Sequence, residues 1–369
     1  MSHLARTVVA VVVAALAVSA GVLGAAGGAS GATAVSAPHV GHVFVIDIEN
    51  KGYDATWGPG SAAPYLATTL RSQGALLTAY FATAHNSQPN YVAQISGQGP
   101  NPQMQGDCQI YSSFIGAGTV PPGQAVGDGC VFPASVRSLP DQLTAKGLTW
   151  KGYMEDMGTP CRHPALNTQD DTQKAKVGDQ YATRHDPFMY FASITGSPSC
   201  ARHVVDLNAL PRDLGTTGAT PNLSFIVPNL CDDGHDSPCV DGRPGGLVSV
   251  DAWMRVWVPK ILASPAFKKD GVLVITSDES DSPSSDSSAC CGEGPGPNAA
   301  QPGITGPGGG RVGALVLSRW TAAGSWSTTP YNHYSLLGSI EDAFGLSRLG
   351  YASSPGLNTF GRDVYNTIR

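Results

Sequence analysis

The residues best suited to chemistry fall in a few short runs. The segment His85-Asn-Ser87-Gln-Pro-Asn90 gathers an imidazole, a hydroxyl and an amide. Glu49-Asn50 and Asp278-Glu279 each put oxygen ligands directly after an apolar run. A further polar run from Asn229 to Asp236 carries Asp233 and His235, and His185 lies between these groups in the chain. Each has a plain explanation when taken singly. Ser87 before Pro89 reads as a helix cap, Glu49-Asn50 as a turn, and Asp278-Glu279 beside Asp281 as a solvated acidic loop. Together they make a kit for phosphoryl transfer through a covalent phosphoenzyme. A hydroxyl supplies the nucleophile. A divalent cation held by hard oxygens lowers its pKa and balances charge on the transferring group. Asn and His side chains can hold the non-bridging oxygens.

Residues so far apart need a fold that returns them to one place. Short runs at His42 to Ile48, Leu148 to Met154, Leu223 to Val227, Gly271 to Thr276 and Gly313 to Leu317 are largely apolar or β-branched. Runs of this kind suit a largely parallel sheet with helices on both faces. Helical patterns at Ala62 to Ser72, Asp251 to Ala263 and Tyr334 to Phe344 lie between or after them, with Asp251 and Asn332 as cap candidates and Gly345 as a stop. The expected fold class is an α/β three-layer sandwich. Ligands of such sheets bind beyond the carboxyl ends of the strands, where Glu49, Asp278 and the 229–236 run would converge. Ser87 is expected just before a helix start, where backbone N–H groups favour an anion. Residues 101–131 read as peripheral and 280–310 as a mobile loop.

The first 34 residues read as a secretory signal, with Arg6, an apolar run from Thr7 to Leu23 and small residues up to Ala34. Residues 35–369 then form one expected domain, exported and not inserted in a membrane after cleavage. Eight cysteines in an exported chain imply disulfides. Cys231 with Cys239 and Cys108 with Cys130 could close local loops, whereas the adjacent Cys290 and Cys291 are expected to bridge to separate partners. The net charge of −6 argues against nucleic acid as a partner.

The runs "ENKGYDATWG" (49–58), "HNSQPNY" (85–91), "WKGYMEDM" (150–157), "RHDPFMYF" (184–191), "VPNLCDDGHD" (227–236), "SDES" (277–280) and "YNHYSLLGSIEDAFGL" (331–346) occur in this order. From about His42 to Phe360 the chain resembles the bacterial phosphoesterase family of secreted acid phosphatases and phospholipase C enzymes. The resemblance implies an alkaline-phosphatase-like fold and a metal-assisted acid phosphatase with an acidic to neutral optimum. Its substrate would be a small-molecule or lipid phosphate ester; the alternative is a phospholipase C. It implies Ser87 as nucleophile, Asn90 as a phosphate contact, and Glu49, Asn50, Ser87, Asp278 and Glu279 around one divalent cation. Oxygen ligands favour magnesium, calcium or manganese over zinc. His185, Asp233, His235 and His85 match positions lining the site, with His235 or His185 giving a proton to the leaving alcohol. His333 is expected to be structural. The run "DESDSPSSD" departs from the longer motif, ending in Asp-His, of the plant phospholipase branch.

Overall fold

The computed structural model describes residues 38–367, so the export signal expected over residues 1–34 lies outside the described residues. Eight strands form one sheet: β1 (His42–Ile48), β2 (Ala75–Leu77), β3 (Trp150–Met154), β4 (Val204–Asp206), β5 (Leu223–Val227), β6 (Gly271–Ser277), β7 (Ala314–Ser318) and β8 (Ser325–Ser327). Their order across the sheet is β8-β2-β7-β6-β1-β5-β3-β4. Central β1 is buried at every position and pairs in parallel with β5 and β6, so Val45 lies between Phe225 and Val274. A strand without a solvent face must be covered twice. Side-chain alternation does this. Val43 and Val45 enter one apolar core, while Phe44, Ile46 and Ile48 enter the other.

Three helices supply most of the cover: α1 (Ser87–Ser96), α2 (Gly246–Ala263) and α3 (His333–Phe344). Tyr91, Val92 and Ile95 of α1 join Leu336, Leu337 and Ile340 of α3 in the first core. Val250, Met254, Val258 and Ile261 of α2 line the second. The result is the expected α/β sandwich. One strand departs from the parallel pattern. Residues 278–313 stay at the carboxyl end of β6, so β7 must run back down the sheet, antiparallel to β6 and β2.

Local signals fared unevenly. Asn332 caps α3, its side-chain oxygen accepting from Ser335 N at 2.8 Å, and Gly345 ends it in the left-handed region at φ 60°. Asp251 does not cap its own helix, because α2 begins at Gly246. Its Oδ1 accepts instead from Tyr65 N (2.6 Å) and Leu66 N (3.2 Å), capping a neighbouring turn. That turn, Tyr65–Leu70, is a π-helix passing into a 3-10 turn at Arg71–Gln73, where an ordinary helix was expected.

Cys108–Cys130 and Cys231–Cys239 close the local loops. The expectation that Cys290 and Cys291 find separate partners is corrected, since they bond to each other. Cys161 and Cys200 satisfy one another beside the start of β4, where Cys161 N donates to Val204 O. No third cysteine remains for the adjacent pair. The 280–310 segment has neither helix nor strand but is anchored. Gly309 N donates to Ala82 O at 3.0 Å. A Cβ on Gly309 would fall 2.0 Å from Ala84 O, so only glycine permits this approach to the Ser87 loop. Glu293 binds Cys291 N and the amide of Asn332.

Glu341, on the buried face of α3, gives a test of this packing. Its Oε1 accepts from Leu349 N at 2.9 Å, while Oε2 has no partner. Burial pushes the carboxyl up to about 8. The folded state therefore holds a proton that the unfolded chain releases near the ordinary glutamate value. The stabilisation is present in acid and lost as pH rises through about 8. Glu341→Gln should match wild type in urea denaturation at pH 5 and be clearly more stable at pH 8.5. An unchanged difference between the two pH values would contradict this assignment.

Candidate active site

Parallel β1, β5 and β6 end on one edge of the sheet, and their following residues are tied together there. Glu49 N donates to Asp233 O (2.8 Å), Asp278 N to Ile48 O (2.9 Å) and Lys51 N to Glu279 O (3.0 Å). Asn50 takes a left-handed φ of 55°, which asparagine tolerates better than most residues. This turns its N–H to Asp278 Oδ1 (2.9 Å) and its amide to Glu49 Oε2 (2.6 Å).

Ser87 is the first residue of α1 rather than the residue before it; Asn86 holds the cap position. The capping explanation fails on geometry. Ser87 Oγ donates to Glu49 Oε2 at 3.1 Å, and the N–H of Gln88 is taken by Asp107 Oδ1 at 3.0 Å. Ser87 is 3% exposed and Glu49 is fully buried. Asn90, one turn along, is spent on the loop that presents Ser87. Its Oδ1 accepts from Thr83 N and Ala84 N, and its Nδ2 donates to Ala84 O and Asn86 O. A phosphate oxygen would have to compete with those carbonyls.

His185 lies between two carboxylates. Nδ1 is 3.0 Å from Asp233 Oδ2, and Nε2 is 2.9 Å from Glu49 Oε1. The second contact is close but off the hydrogen-bond line, so both of its atoms lack a hydrogen bond. Burial opposes protonation of His185, yet Glu49 and Asp233 outweigh it and raise the imidazole to about 9. In return, burial of Glu49 is outweighed by the charge of His185 close beside it, and its carboxyl is held well below the usual range. Asp233 sits behind His185 and also accepts from His235 N at 2.7 Å. It orients the His185 ring and holds the His235 backbone, so its carboxyl faces these groups instead of an incoming anion.

The second acidic pair differs. Burial, reinforced by the charges of Glu49 and Glu279, drives Asp278 well above its ordinary pKa, and its Oδ2 has no partner. Burial lifts Glu279 to about 7 against the opposing bond from His85. Both nitrogens of His85 are engaged, Nδ1 by Glu279 and Nε2 by Asp286 O at 2.9 Å. His333 stands behind Asp278. Its Nε2 donates to Asp278 O (2.6 Å) and its Nδ1 accepts from Tyr80 O–H (3.1 Å). Burial pushes its pKa down to about 4, so the ring is neutral.

The predicted residues thus converge, with Ser87, Glu49, Asn50, Asp278 and His185 innermost and His235 at the mouth, its side chain 33% exposed. Sequence reasoning missed Asp107 and Arg184. Arg184 directly precedes His185 in "RHDPF", but its burial shows only in the fold. Its Nη2 is 3.0 Å from His235 Nε2.

Orphaned Asp278 Oδ2 and Glu49 Oε1, in a pocket of buried carboxyls, fit a hard cation held by oxygen. Among the described residues, the closed clusters of metal-ligand atoms are elsewhere: Cys231, Cys239 and Asp241, and Cys290, Cys291 and Glu293. Their sulfurs are in disulfides, which removes them as thiolate ligands. Concavity alone also misleads. A cleft of about 340 Å³ lined by Arg137, Trp150, Ser193 and His203 lies by the first residue of β3, away from this rim.

A three-layer sandwich with a serine and carboxylates at the strand ends defines a class of hydrolytic α/β proteins. The sequence model of the Phosphoesterase family matches residues 59–347, and the chain belongs to that family. It is 24% identical over 310 residues to an acid phosphatase of Aspergillus fumigatus, covering 83% of this chain and 55% of the relative. It is 26% identical over 281 residues to a phosphate-repressible acid phosphatase of Penicillium chrysogenum, covering 76% of this chain and 54% of the relative. The chain spans about half the length of these two fungal relatives. A phosphatidylinositol-3-phosphatase of Mycobacterium tuberculosis is 24% identical over 317 residues, covering 86% of this chain and 81% of the relative. The fold is like that of an alkaline phosphatase superfamily protein from Vibrio parahaemolyticus (TM-score 0.50, 10% identity, 89% of this chain and 73% of that one).

His333 tests how the acidic pair is held. His333→Ala leaves Asp278 O and the Tyr80 hydroxyl unpaired in a dry site, which should cost roughly 1–3 kcal/mol. Turnover should fall by about tenfold or more because Asp278 loses its support. Wild-type melting temperature and turnover in this variant would contradict the placement.

Proposed function

We propose that this chain is an exported phosphomonoesterase that works through a phosphoserine at Ser87. A cleavable signal over 1–34 and a single catalytic domain over 35–369 belong to this reading. The observation that carries it is the bond from Ser87 Oγ to an ionised, buried Glu49, at the first residue of α1. With its hydrogen directed at Glu49, the oxygen keeps its lone pairs for phosphorus.

Ser87 Oγ gives its proton to Glu49 and attacks phosphorus in line, a new O–P bond forms, and the bond to the ester oxygen breaks. The leaving alkoxide takes a proton. His185 is the better donor, because it is charged from acid to neutral pH and its Nε2–H is not committed to a hydrogen bond. His235 is less suited, since its Nε2 faces a guanidinium that can only donate. Water then gives a proton to His185 and attacks the phosphoserine, the Oγ–P bond breaks, inorganic phosphate leaves and Ser87 takes back its proton from Glu49. Glu49, Asn50, Ser87, Asp278 and Glu279 would hold one divalent cation. When bound, it balances their charge and that of the phosphate and lowers the pKa of a hydroxyl beside it. The resemblance to acid phosphatases and to a phosphatidylinositol-3-phosphatase supports phosphate monoesters, small or lipid, as substrates.

Two tests follow. Ser87→Ala should fold with little loss of stability, since no capping bond is removed, and its turnover of p-nitrophenyl phosphate should drop by several orders of magnitude. A folded variant with near wild-type turnover would sink the phosphoserine step. Metal analysis of purified protein should find about one divalent cation per chain, removed by exhaustive chelation together with activity and diminished in Asp278→Asn. Full activity in metal-free protein, with Asp278→Asn indifferent, would remove the cation from the account.

A further inference from the structure

Arg184 is the buried arginine of the described residues, at 3% exposure, and no carboxylate lies within 4.0 Å of it. Arg162, Arg212, Arg243, Arg255, Arg311 and Arg348 all have acidic partners and more solvent. Glu49 and Asp107 feel its charge from beyond ion-pair contact, and a guanidinium removed from water with no anion in direct contact is costly unless one comes to it. The contacts it does make are neutral. Nη1 donates to Gln173 O at 3.0 Å and weakly to Gln173 Oε1 at 3.5 Å, and Nη2 donates to His235 Nε2 at 3.0 Å. A guanidinium has five N–H donors and no acceptor, so these contacts leave donors for a ligand.

The bond to His235 fixes that ring. Nε2 must be the acceptor, so Nδ1 carries the hydrogen, directed to Asp236 Oδ1 at 2.8 Å. Asp236, His235 and Arg184 form a relay that aims the guanidinium from the open side of the site. Arg184 is also the residue next to His185, whose ring lies 5.8 Å from that of His235. Arg184 therefore stands beside cationic His185, which contacts the Glu49 that Ser87 binds.

We propose that Arg184, steered by His235 and Gln173, is the clamp for the terminal oxygens of the phosphate and selects monoesters over diesters. This rests on the phosphatase reading above. A monoester brings three terminal oxygens and a second negative charge, and a diester brings two oxygens and one charge. A planar guanidinium in a dry site binds such oxygens in pairs and reads that extra charge. His235 is then a positioning residue, which accounts for a histidine in the site without a proton to give.

The experiment measures inorganic phosphate binding by calorimetry in the Ser87→Ala background, with and without Arg184→Lys or Arg184→Gln. It also measures kcat/KM for p-nitrophenyl phosphate and for the monoanionic p-nitrophenyl methylphosphonate with the same arginine changes on wild-type Ser87. Phosphate should bind about tenfold or more weakly without the guanidinium, and the monoester should lose about 100-fold in kcat/KM. The monoanionic analogue should lose far less, and His235→Gln, which can still accept from Arg184, should keep most of the preference. Phosphate affinity within about twofold of the parent, or equal losses on both esters, would overturn the clamp. The binding arm does not depend on Ser87 as nucleophile. If Ser87→Ala keeps its turnover, the phosphoserine step fails while the clamp is still decided by binding.

Discussion

Glu49, Asp233, Asp278 and Glu279 are buried together where β1, β5 and β6 end. Carboxyl groups in a dry place repel one another when ionised and lose hydration as well. Much of the surrounding structure answers that constraint. His185 lies between Glu49 and Asp233, His85 is set against Glu279, and Arg184 adds a buried guanidinium against His235. Asp278 has no such partner, and its free oxygen is where a cation would complete the balance. The same arrangement keeps Glu49 ionised, so the Ser87 hydroxyl has a charged acceptor.

The scaffold fixes these groups through backbone more than through side chains. Glu49, Asp233 and Asp278 are cross-linked by main-chain bonds from neighbouring strand ends. His333 supports Asp278 through its carbonyl, and Asn90 shapes the Ser87 loop through two N–H and two carbonyl groups. Several polar residues of the site thus also hold its backbone in place. A support of this kind sets the position of a reacting group to within a fraction of an ångström, the tolerance that orientation-dependent chemistry demands.

The longer strands β1, β3, β5, β6 and β7 and the acids after β1 and β6 were legible because a buried strand is a largely apolar run and the polar residue after it is conspicuous. The three-residue β2, β4 and β8 are too short to show a pattern. Helix α3 was legible because Asn332 and Gly345 mark both ends. The antiparallel β7 was not, since direction depends on where a long loop leaves the chain. Asp251 misled because a cap can serve a neighbouring element. The Cys290–Cys291 bond was missed because pairing depends on which other cysteines are already satisfied. Arg184 was passed over because its meaning lies in what is absent around it, a carboxylate partner, and no one-dimensional pattern displays an absence. The roles of His85 and Asp233 depend on which way a ring or carboxyl faces, which residue type and spacing leave open.

The central claim is that phosphate passes through Ser87, and the most direct measurement traps it there. Protein turning over p-nitrophenyl phosphate would be quenched in acid, where phosphoserine survives, then digested and mapped by mass spectrometry. The account predicts a phosphorylated peptide containing Ser87, formed within the first turnover and absent from Ser87→Ala. Turnover with Ser87 unmodified at every quench time, and inversion rather than retention of configuration at a chiral phosphorus, would contradict it.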